Sequence, residues 1–212
     1  MNLFIFPWLS ALSQVFLVGI VVYFRKRLTH ELRVLAVYLI LSLLSLTGQI
    51  YLALNHINNY WLLYLFSPIE FGLLMYVFYL WNRNSFVGKM MLYSIPLYIG
   101  GWGLGILLSG SASNTFTYMS PISAAGLVLV SSYTLLSIER AEGSPVLGNP
   151  SFWISSATLI YFGSTIVFSS LNTSIQKASI GTMQIAFSVQ AVINILANLV
   201  YAGGFLCLRR KT

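Results

Sequence analysis

Aspartate is missing altogether from this 212-residue chain, and its only acids are Glu31, Glu70, Glu139 and Glu142. A membrane protease working through paired aspartates is therefore excluded. Charge of either sign is scarce, at 7% of residues, where an ordinary soluble domain carries about 25%. The two histidines, His30 and His56, fall on opposite sides of the membrane in the topology derived below. That separation removes bis-histidine haem ligation and the HExxH zinc motif. His30-Glu31 reads as a solvated pair in a basic loop. No lysine lies within an apolar span, so a Schiff-base chromophore of the rhodopsin kind is excluded. Serine and threonine are plentiful, yet none has a histidine or lysine base at membrane depth. No enzyme is expected, because no His, Lys, Arg or Asp stands at that depth to support catalysis. The single cysteine, Cys207, makes an intrachain disulfide impossible. No metal site, catalytic residue or cofactor is expected.

What the chain does have is apolar length, with 58% hydrophobic residues. Seven runs are long enough to cross a bilayer: Leu3 to Phe24, Val34 to Leu54, Trp61 to Trp81, Met90 to Leu108, Phe116 to Ile138, Phe152 to Leu171, and about Thr182 to Cys207. They leave little room, so a single seven-helix domain is expected, with no fused soluble domain. The first run is followed at once by Arg25-Lys26-Arg27. A secretory signal peptide has the reverse order, with its charge first. This run is thus read as a retained span whose N-terminus is outside, with Pro7 and Trp8 in the outer interfacial belt.

The distribution of basic residues tests the assignment, because one extra or missing span would invert everything after it. Ten of the eleven Lys and Arg residues fall on one side and only Lys177 on the other. The bias predicts an all-α membrane protein, a bundle of seven transmembrane helices with the N-terminus outside and the C-terminus cytoplasmic. It also accounts for the net charge of +7 without nucleic acid, which is not expected as a partner. The brevity of loops and tail suggests a bacterial inner membrane.

Glu70 is the acid that stands near the centre of a span, two residues after Pro68, and no Lys, Arg or His lies in another span to pair with it. A carboxylate alone at that depth costs on the order of 3 kcal/mol, so it must be protonated, hydrogen-bonded, or facing a cavity or cation. Pro68 also leaves the carbonyl of Tyr64 without its helical donor. Counting about 1.5 Å per residue from each outer boundary puts Glu70, Gln14, Tyr161, Gln190 and Asn194 in one layer, roughly 12 to 18 Å deep. On the last span Gln190, Asn194, Asn198 and Tyr201 follow helical spacing and form a stripe. Gln49, toward the far end of the second span, completes the set of candidate ligand-binding residues: Glu70, Gln14, Tyr161, Gln190, Asn194 and Gln49. The competing reading is interhelical glue, with Glu70 bonded to a facing amide such as Gln190 or Asn194.

Three functions fit these residues. The first is a receptor-like or sensor module that binds a small or amphiphilic ligand around Glu70 and signals through a cytoplasmic or membrane partner. The second is a small proton- or cation-coupled transporter. The third is a membrane-embedded enzyme acting on lipid, disfavoured by the missing base. Gly101 and Gly105 form a small-xxx-small pair, which serves either packing within the chain or a homo-oligomer contact.

Overall fold

Each apolar run becomes a helix, and every one after the first extends beyond its run at one end or both, because polar residues beyond the hydrocarbon continue the backbone hydrogen bonding in the headgroup region. The computed structural model describes residues 5–140, 146–177 and 179–208. Its α-helices are α1 (Ile5–Tyr23), α2 (His30–Leu54), α3 (Tyr60–Asn82), α4 (Phe86–Ser109), α5 (Ala112–Arg140), α6 (Pro150–Lys177) and α7 (Ile180–Leu206), with short 3-10 turns at Arg25–Arg27 and Val146–Gly148. All seven are long and apolar enough to cross a membrane. Among the described residues there is no strand, so the fold is all-α. The expected tail charges Arg209-Arg210-Lys211, and Glu142, lie outside the described residues.

Local chemistry sets the helix ends. Ser85 caps α4 by accepting a hydrogen bond from the Gly88 N–H at 2.9 Å, which satisfies one of the donors a helix start leaves open. Gly110 ends the same helix in the left-handed region at φ 62°, and its N–H donates back to Ile106. Pro68, Pro96 and Pro121 sit inside helices that stay continuous around them.

The chain divides into two compact units. One comprises Leu28–Val130: α2, α3, α4 and the first part of α5. Here α3 is the middle helix, packed against α2 and against α4. Its buried residues Ser67, Phe71, Leu74, Phe78 and Asn82 recur every three or four positions, the spacing of one helix face. Leu35, Tyr38 and Leu39 of α2 and Met91, Tyr98 and Trp102 of α4 are buried as well. Large apolar side chains such as Leu44, Leu65 and Leu97 stay exposed. On a soluble protein they would form a sticky patch; here they face lipid tails.

Gly101 and Gly105 are used inside this unit. A Cβ on Gly101 would lie 3.4 Å from Met119 of α5, and one on Gly105 would lie 2.7 Å from the Thr115 side chain. Absent side chains are what let α4 and α5 approach. Gly105→Ile is therefore expected to destabilise the fold by about 1 to 3 kcal/mol through overpacking, read by thermal unfolding in detergent, with the oligomeric state unchanged. Loss of an oligomer at undiminished stability would instead mark the pair as a contact between copies.

The other unit comprises Met1–Arg27 and Ser131–Thr212, and its helices are α1, α6, α7 and the rest of α5. Its middle helix is α7, packed against α1 and α6. Leu17, Ile154, Ala157, Ala197 and Phe205 are fully or almost fully buried. The positive-inside bias fixes the expected orientation of the whole chain. A reporter fused after Thr212 should be cytoplasmic and one inserted at Ser111 external; both on one side would end the seven-span topology.

Candidate functional site

Glu70 sits on the middle helix of its unit, half-buried, with its side chain directed at α2 rather than at an amide. The Tyr38 hydroxyl donates to Glu70 Oε1 at 2.9 Å. Tyr38 itself is buried and stacks on Phe66 of α3, with ring centroids 6.3 Å apart and planes 16° from parallel. A hydrogen bond to a carboxylate is worth more than one between neutral groups, about 1.5 to 3 kcal/mol net. It does not saturate the acid. Among the described residues Tyr38 is the one donor to a group that has about four acceptor positions.

One turn earlier α3 makes a second, weaker polar contact, toward α4. Ser67 Oγ lies 3.4 Å from the Tyr98 hydroxyl of α4, and that hydroxyl is also 3.4 Å from the Met119 carbonyl it donates to. Both distances are at the long end for hydroxyl bonds. Phe71, one residue after Glu70, packs on the Tyr98 ring at 4.1 Å between centroids. One turn further along α4, the Trp102 Nε1–H is buried with no acceptor among the described residues.

Beside the Tyr38–Glu70 pair runs an apolar groove of about 230 Å³ between α2 and α3. Leu41, Leu44 and Ser45 line it from α2, and Leu62, Leu65, Phe66 and Ile69 from α3. Phe66 links the two features, since its ring both lines the groove and stacks on Tyr38. The groove's exposed leucines open it sideways, toward the lipid.

Of the six residues expected at the site, Glu70 and Gln49 lie in this unit. They are not neighbours. The Asn59 side chain donates to the Gln49 carbonyl at 3.2 Å, so the start of α3 is level with Gln49 and not with the end of α2. Glu70 comes eleven residues after Asn59 and Tyr38 eleven residues before Gln49, equal descents of roughly 16 Å. That register brings Tyr38 to Glu70 and leaves Gln49 at the outer end, where its Nε2 donates to Ser45 at 3.2 Å.

Gln14, Tyr161, Gln190 and Asn194 all belong to the other unit. Along its middle helix the polar stripe has two halves. Asn198 donates to Ser13 of α1 at 2.9 Å, and the Tyr201 hydroxyl pairs with Thr158 of α6 at 2.8 Å. These bonds tie the three helices together. One and two turns earlier, Asn194 Oδ1 and Gln190 Oε1 are buried acceptors with no partner among the described residues. Gln14 and Tyr161 also make interactions within the chain. Among the described residues no three His, Cys, Asp or Glu side chains gather as a metal site.

Seven spanning helices with an acid on the middle helix of one unit define a polytopic membrane protein in contact with the bilayer. Compared with protein-family models, with curated proteins and with solved structures, the chain matches none.

Proposed function

We propose that the protein is a receptor-like or sensor module that takes an amphiphilic ligand sideways from the bilayer. The ligand's donor or cationic head meets Glu70, and its tail lies in the groove between α2 and α3. The observation that carries this reading is Phe66, which lines an apolar groove of about 230 Å³ and stacks on the tyrosine that donates to an incompletely satisfied carboxyl. Hydrogen-bonded glue needs no such groove. Tyr38 orients the carboxyl and fixes one oxygen, leaving acceptor capacity for the head. Occupancy would press on Phe66 and Tyr38 and so shift α2 against α3, a change that a cytoplasmic or membrane partner can read. Binding of a fluorescent long-chain amine to the purified chain tests the proposal, with a long-chain alcohol as the uncharged control. Binding of the amine in preference to the alcohol is expected; equal binding of both would remove the carboxyl from the site.

A small cation-coupled carrier is the second reading, and the open amide oxygens of Gln190 and Asn194 favour it, since two such acceptors one turn apart suit a hard cation. It requires net flux of a cation into sealed vesicles. The sensor reading requires none.

A further inference from the structure

We propose that a groove between α1 and α7 holds one anionic phospholipid, its phosphate on Lys26 and Arg27 and the upper part of an acyl chain along α1. The groove has a volume of about 800 Å³. Phe16, Gly19, Ile20 and Tyr23 of α1 and Leu206 of α7 make its apolar part, and Lys26 and Arg27 line its other end. Gly19 leaves its part of the groove wall bare, and a Cβ there would find nothing within 4 Å. From Phe16 to Tyr23 the helix covers about 10 Å, a third of a hydrocarbon core of about 30 Å. That is the depth occupied by the chain segment next to a lipid headgroup.

The charges stand where the headgroup would be. Both cations are exposed in the 3-10 turn that follows α1, on the face the charge bias assigns to the cytoplasm, whose leaflet carries the anionic lipids. No acid lines the groove. A free anion would leave the apolar part unfilled, and a zwitterionic lipid would bring a second cation to Lys26 and Arg27. An anionic lipid satisfies both ends at once. This site is independent of Glu70, which lies in the other unit.

The full chain, delipidated in detergent, is titrated with phosphatidylglycerol or phosphatidylcholine of identical acyl chains, and bound lipid is counted by native mass spectrometry. One phosphatidylglycerol should bind roughly 30-fold more tightly than phosphatidylcholine, the discrimination of two basic residues near a membrane surface. Lys26→Gln with Arg27→Gln should erase the preference, and both side chains are exposed, so the fold survives. Gly19→Leu, placed into open space, should weaken both lipids alike. Equal binding of the two lipids by the wild type, a preference that survives the double substitution, or indifference to Gly19→Leu would overturn the proposal. Full competition by glycerol 3-phosphate would also overturn it, marking a site for free phosphate.

Discussion

Glu70→Gln is expected to fold as the wild type does and to lose binding of a long-chain amine by tenfold or more, on the order of one charge-assisted hydrogen bond. Glutamine keeps an acceptor for the Tyr38 hydroxyl at nearly the same volume, so the bond at 2.9 Å to α2 is preserved. What disappears is the charge. Glu70→Leu removes the acceptor as well and so deletes the charge-assisted bond between α2 and α3, at a cost of about 1.5 to 3 kcal/mol. Loss of binding is therefore shared by both variants, whereas loss of stability belongs to the leucine variant. Interhelical glue gives a different pattern: a silent glutamine variant and a destabilised leucine variant. Binding of an amine by a carboxylate also has a direction in pH. It declines as the pH falls and the acid takes up its proton, whereas Glu70→Gln has no proton to take up there and shows no such decline. A fully competent Glu70→Gln would remove Glu70 from the site.

The second large effect comes from the groove. Leu44→Trp adds bulk at a position 62% exposed, so the indole can be accommodated without disturbing the core, yet Leu44 lines the groove. A tail moving from bilayer to groove exchanges one apolar medium for another, and the gain is packing rather than hydrophobic transfer. Each atom contact contributes about 0.1 to 0.2 kcal/mol. Expelling ten or so contacts costs roughly tenfold in affinity for a long-chain amine. A short-chain amine, which does not reach Leu44, should bind Leu44→Trp and the wild type equally. Equal losses for both chain lengths would point to a disturbed helix pair and not to a filled groove.

The seven helices were legible in the sequence because a spanning helix must satisfy its own backbone and needs about 20 apolar residues to do so. Such runs are hard to miss. Where helices end was less legible: α2 begins at His30, four residues before its apolar run, and α6 continues to Lys177. Glu70 stood out as an acid inside an apolar run. Its partner did not, because Tyr38 counts as one more apolar residue until the register of α2 against α3 is known. That register is marked by Asn59 bonding to the Gln49 carbonyl, a contact across a turn that periodicity does not encode. Depth counted from the end of each apolar run assumes that all helices begin level. Here α2 projects past the start of α3, so Gln49 stands at the outer end while Tyr38 reaches Glu70. A depth count also does not sort residues by unit: Glu70 belongs to one, and Gln14, Tyr161, Gln190 and Asn194 to the other.

The central claim is that the Tyr38–Glu70 pair and the neighbouring groove form one ligand site, and photolabelling tests it most directly. A long-chain amine carrying a diazirine midway along its tail is bound to the chain in nanodiscs, irradiated, and the labelled residues are mapped by mass spectrometry. Labels are expected on Leu41, Leu44 and Leu65, displaced by unlabelled amine and absent in Glu70→Gln. Labelling spread over the lipid-facing surface of all seven helices, and unchanged in Glu70→Gln, would contradict it.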